Sequence, residues 1–211
     1  MDWESNNILI TPLPRHILIT GEAWPVHTDF RIWMQCDMLL CDPAVPAVEK
    51  ITRAAKLCLD IAGENANDTI NALIANHSGD LAAGIFQFYA CPMPGGGTSA
   101  KQQRQEKGHK RVYHFGYDAP YIYAAFFAQY GIDLRRTELH WWEFSALLQG
   151  LCGDHKFCDI MSYRGMDLSK IKDREQRAFY RRMQSLYRLP DTRPEAEKEE
   201  AFAGELGKLI H

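Results

Sequence analysis

The chain has 211 residues, 46% hydrophobic and 24% charged, with a net charge of −3. That length suits one domain, or two small ones sharing a core, and supplies enough apolar side chains to bury a sizeable interior. The charge excludes binding of polyanions by bulk attraction, and no apolar run reaches the roughly 20 residues that a membrane span needs.

The N-terminal stretch MDWESNNILITPLPRH has no basic segment leading into an apolar run, so a secretory signal is not expected. Arg15 to Thr20 is β-rich, and Ala23 to His27 returns after a Gly21-Glu22 turn, which predicts a hairpin. Pro25 lacks a backbone donor, so the second strand is expected at an edge. Thr28 and Asp29 are good caps for a helix over Phe30 to Leu40, on which Asp37 is the polar exception to the apolar spacing. A second helix is predicted over Val45 to Ile61. Its inward stripe would be Val48, Ile51, Ala55, Cys58, Leu59 and Ala62. Thr69 to Asn76 reads as a short helix, and Gly79 to Cys91 as a more apolar, buried segment.

Residues 92–111 (PMPGGGTSAKQQRQEKGHKR) differ in kind, with a Pro/Gly start and a basic end. They read as a flexible linker between an N-terminal unit, 1–91, and a helical C-terminal unit, 112–190. Their Gly95 to Lys101 stretch lacks the spacing of a phosphate-binding loop. After the linker, Tyr113 and Phe115 suggest a short extended piece. Asp118, followed by Pro120, opens a helix that stops at Gly131. Thr137 to Gly150, Asp154 to Tyr163 and Asp173 to Arg188 are the remaining helices, and 191–211 is a charged tail. The fold class expected is mainly α: a multi-helix bundle with a small N-terminal β-hairpin.

The polar residues do not assemble a catalytic set. Cys152, His155 and Cys158 offer three local ligands where a structural zinc site takes four. His140 and Glu143 lie one helical turn apart, and a solvated or capped polar pair explains them without a metal. The six cysteines, in a long chain with a full apolar complement and no export signal, are read as reduced thiols. No nucleophile motif, cofactor motif or transmembrane segment is present, so no enzyme activity and no cofactor are expected.

Two features point to partners instead. Trp141, Phe144, Leu148 and Leu151 fall on one face of their helix; Leu139, Trp142, Ala146 and Leu147 fall on another. A helix apolar on two sides is either enclosed by neighbours or keeps one side for a partner, and both alternatives stand at this point. Basic clusters occur at Lys101, Arg104, Lys107, Lys110 and Arg111, and at Arg174, Arg177, Arg181, Arg182 and Arg188. Such clusters track phosphates, form a solvated face, or seat an acidic segment such as Glu195 to Glu200.

The blocks DAPYIYAAFFAQYGIDL (118–134), LHWWEFSALLQGL (139–151), FCDIMSYR (157–164) and DLSKIKD (167–173) resemble the bacteriophage gene-product-15 family of siphophages and prophages of Gram-positive hosts. The opening LPRHILITGEAWPVHTDFRIW (13–33) is also similar to that family's start, so the resemblance spans roughly Leu13 to Leu189. It implies a tail assembly chaperone, encoded between the tail-tube and tape-measure genes and acting in the cytoplasm of the infected or lysogenic host. The partners it implies are the tape-measure protein, a companion chaperone and the tail-tube protein. It implies no catalytic residues, and the cysteine content has no counterpart role in it. On this reading Tyr121, Phe127 and Trp141 or Trp142 are candidates for an apolar contact surface, and Arg181 and Arg182 of the last helix are further partner-binding candidates. The alternatives are a structural tail component retained in the virion, or a nucleic-acid-binding module built on the basic last helix.

Overall fold

A computed structural model describes residues 8–91 and 111–190. Its order is β1 (His16–Ile19), β2 (Glu22–Pro25), α1 (Phe30–Cys41), α2 (Ala47–Cys58), α3 (Ala66–Ala90), α4 (Ala119–Tyr130), α5 (Trp141–Gln149), α6 (Lys156–Gly165), a 3-10 turn at Leu168–Lys170, and α7 (Arg174–Leu186). The fold is mainly α with an N-terminal antiparallel hairpin, as the periodicities predict.

Thr20 and Gly21, with φ of 51° and 85°, form the two-residue turn that places Ile19 opposite Glu22. The turn lies one residue earlier than the sequence suggests, because both central positions of this turn type need positive φ and glycine takes the second. Ile17 and Ile19 then face the core while Leu18 faces out. The β2 side is not left bare. Pro25 accepts from the Asp60 N–H at 2.9 Å, and the His27 N–H donates to Cys58 at 2.8 Å, so the end of α2 covers it.

Asp29, not Thr28, caps α1; its carboxylate accepts from the Arg31 N–H at 2.7 Å. α2 is shorter than predicted, and Val48 is 81% exposed although its spacing placed it on the inward stripe. Ala55, Cys58 and Leu59 of that stripe are buried as predicted, together with Ala54. The two segments expected after it form one element, α3, broken by non-helical dihedrals at His77. Gly84 lets α3 approach the hairpin: a Cβ there would stand 3.1 Å from the Leu18 carbonyl oxygen. Of the predicted linker, residues 92–110 lie outside the described residues; so does the tail, 191–211.

Tyr113 and Phe115 form no strand, and Phe115 turns into the core. α4 ends where predicted, at Gly131 with φ 67°. α5 starts at Trp141 rather than Thr137. The reason is tertiary: Leu139 accepts from the Phe30 N–H at 3.1 Å and the Trp141 N–H donates to Thr28 at 2.8 Å, which holds His140 extended opposite Asp29 at the start of α1.

One apolar cluster runs through both parts of the chain. Phe144 of α5 stacks on Phe30 of α1 at 4.6 Å and on Phe126 of α4 at 5.1 Å. Trp33 stacks on Phe88 at 4.5 Å. Rings of this size dominate the burial that stabilises a domain of this length.

Candidate functional site

Trp141 and Trp142 are both core residues, 4% and 7% exposed. Each indole N–H donates at 2.9 Å to the last turn of α3, Trp141 to the Tyr89 carbonyl and Trp142 to the Phe88 carbonyl. The final carbonyls of a helix have no partner within it, and the two tryptophans supply one. The expectation that one of them anchors a partner is therefore corrected: neither side of α5 is open at these positions. The preceding His140 caps α5. Its Nδ1 accepts from the Trp142 N–H at 3.0 Å, and the Glu143 carboxylate accepts from the His140 N–H at 2.9 Å. With Nδ1 an acceptor, the ring proton sits on Nε2 and donates to the Pro14 carbonyl at 2.8 Å.

Asp118 stands at the start of α4, yet its carboxylate does not bond the helix N-terminus. It accepts two bonds from the Arg164 guanidinium of α6, at 2.6 and 3.0 Å, and one from the His114 N–H at 2.9 Å. Arg164 also donates to the carbonyls of Val112 and Tyr187. This buried, bidentate pair fixes α4 against α6. A second buried carboxylate, Asp37 of α1, accepts from the Tyr89 hydroxyl and the Arg111 guanidinium. Arg111 is thus a tether to α1 rather than part of a solvated basic patch. Asp37 holds the chain on both sides of residues 92–110.

The Cys152, His155 and Cys158 pattern is not brought together as a site. Cys152 is exposed ahead of α6, and His155 occupies the cap of α6 that the sequence assigned to Asp154. Among the described residues no three His, Cys, Asp or Glu side chains group so as to hold a metal ion. A groove of about 240 Å³ between β1 and α3 is lined mainly by Ile17, Leu18, Phe88 and Trp142, with His16 its one titratable side chain.

What the tertiary structure leaves open is one side of α4. The helix, APYIYAAFFAQY, contains no charged residue. Ile122, Ala125 and Phe126 point into the core. Pro120, Ala124, Phe127 and Ala128 are exposed, Phe127 at 55%, and Tyr123 beside them stacks on Phe127 at 6.3 Å. Tyr121, a predicted contact residue, is half-buried and packs against the core from its flank. Surface helices normally place charge on the outward side; α4 presents alanine and aromatic rings there. The Asp118–Arg164 pair holds one end of this helix. At the other, the Tyr130 hydroxyl donates to Leu147 at 2.9 Å and Gln129 bonds Gly150 and the Cys152 N–H. Arg181 and Arg182 are exposed on a different element, α7.

The open side of α4 was legible from the missing charges in the Ala119–Tyr130 stretch. The bonds of Asp118 and Asp37 had no such signal, since their partners are far away in sequence.

The family model described as bacteriophage Gp15 protein matches residues 9–189. No curated protein and no solved structure matches the chain.

Proposed function

The chain belongs to the bacteriophage Gp15 protein family, and on that premise we propose that it is a non-catalytic tail assembly chaperone with the tape-measure protein as client. The family is a structural, tail-related phage family. A companion chaperone and tail-tube subunits are further partners in this reading, and the host cytoplasm is where it acts.

The observation that carries the proposal is the uncharged α4, held at both ends and open along Pro120, Ala124, Phe127 and Ala128. A rigid helix with an apolar outer side suits an amphipathic client helix, whose own apolar side would otherwise self-associate. A chaperone also has to leave when the tube closes around the client. An open surface with one well-exposed ring, Phe127, backed by Tyr123, favours moderate affinity and fast release over a deep anchor pocket.

The test is co-expression with the tape-measure protein, scored by client solubility and co-purification. Phe127→Glu should abolish capture while leaving monomer stability within about 0.5 kcal/mol of wild type, as expected for an exposed position. Undiminished capture by a folded Phe127→Glu variant, or stoichiometric retention of the chain in purified particles, would overturn the proposal.

A further inference from the structure

Positive charge is gathered on α7 and its flanks. Residues 172–190 carry six basic and two acidic side chains in a chain whose net charge is −3. Arg177 turns inward and donates to the Ile171 carbonyl at 2.8 Å. Lys172, Arg174, Arg181, Arg182 and Arg188 are exposed, and among the described residues none of these side chains takes part in an ion pair or a hydrogen bond. The opposite side of the helix is held against α6. Gln184 donates there to the Tyr163 and Met166 carbonyls, and Tyr187 stacks on Tyr163 at 6.0 Å. Arg174, Ala178, Arg181 and Ser185 recur at i, i+4, i+7 and i+11, a single line along the outer side, with Arg182 beside it. The small side chains between the arginines leave the guanidiniums open to approach. Phe179 lies one turn before Arg182. It meets Tyr163 and Tyr180 edge-on, at 6.1 and 5.4 Å, and leaves 49% of its surface to solvent.

We infer that this side of α7 binds single-stranded nucleic acid. A row of unpaired guanidiniums complements a row of phosphates, and each fork takes two phosphate oxygens at once. The attraction is local: the chain as a whole is acidic, so a polyanion is drawn to this segment and not to the rest of the surface. Phe179 selects the single strand. A duplex keeps its bases stacked inside, whereas a single strand offers a base face to a half-exposed ring beside a guanidinium. Carboxylates on an acidic protein would meet the arginines too, but they bring no planar face to the ring. Contacts to phosphates and base faces carry no sequence code, so the binding is tolerant of sequence. The inference stands independently of the role of α4.

The experiment is fluorescence anisotropy of the full chain with a labelled oligothymidine of about 20 nucleotides, long enough for one such groove. Affinity should fall with added salt at a log–log slope of about −3, as four phosphate contacts give at roughly 0.7 each. Arg181→Ala with Arg182→Ala should weaken binding at least about tenfold and flatten the slope by about 1.4. Phe179→Ala should weaken binding about tenfold and leave the slope unchanged, because a stacked base releases no counterion. Arg135→Ala, an exposed arginine on another segment, should alter neither. Absence of binding at low salt would overturn the inference, as would a loss from Arg135→Ala equal to that from the α7 pair. Equal or tighter binding of polyglutamate would assign the surface to an acidic protein and overturn it. So would tighter binding of the matching duplex.

Discussion

Trp142 donates its indole N–H to the carbonyl of Phe88, 2.9 Å away, so a residue at the start of α5 completes the end of α3. Trp141 does the same for Tyr89. The paired tryptophans are a joint between the two parts of the chain. Replacing either by phenylalanine keeps most of the ring burial but removes the indole donor; the Phe88 carbonyl then keeps the Cys91 N–H, 3.4 Å away, as its partner. Trp142→Phe should cost about 0.5–1.5 kcal/mol, the net worth of one hydrogen bond, read as a lower urea midpoint with unchanged slope. Client capture by the folded variant should stay at the wild-type level.

Arg164 and Asp118 form the other joint. Arg164→Met leaves the Asp118 carboxylate buried with the His114 N–H as its remaining partner, and should cost about 3–5 kcal/mol. Adding Asp118→Asn removes the stranded charge, so the double variant should be more stable than Arg164→Met alone. A double variant that is less stable would contradict the assignment of the loss to an unpaired charge.

His140 and His114 both titrate below the ordinary histidine range, in each case first because burial disfavours the charged ring; beside His114, the Arg111 charge adds to this. The unfolded chain therefore binds these protons more readily than the folded one. Their contribution to stability is complete above about pH 6.5 and is lost as pH falls through the lower folded-state values. Protonation also turns Nδ1 of His140 into a donor facing the Trp142 N–H, which breaks the cap. His140→Asn, which retains an acceptor at the cap, should flatten part of the acid slope in a pH series of thermal melts. An unaltered slope would mean that His140 does not couple to folding.

The thiols should separate by burial. Cys36, Cys58 and Cys91 are buried, and burial pushes the Cys91 thiol up to about 12. The Cys58 thiol lies well above its usual range, through its contact with Cys36 and then burial. Alkylation of the native protein near about pH 8 should label the exposed Cys152 first, with Cys36, Cys58 and Cys91 labelled after denaturation. Early labelling of Cys36 or Cys58, read by peptide mass mapping, would contradict the packing of α1 on α2.

The sequence by itself determined the helical class, the hairpin and the stop of α4 at Gly131. These rest on interactions between near neighbours: apolar spacing and positive φ at glycine. It also displayed, in Ala119–Tyr130, a helix without a charge. The tertiary structure alone decided which aromatic residues are inside. Both tryptophans had the composition of a partner anchor, and Phe127 differs little from Phe126 in the chain. What separates them is the pair of carbonyls at the end of α3 and the neighbours that close over Phe126 but not over Phe127. Asp37, an exception to its helix's pattern, became explicable once Tyr89 and Arg111 were found against it. Long-range partners of buried polar groups leave no local periodicity, so the joints that hold α4 in place are invisible until the chain is folded.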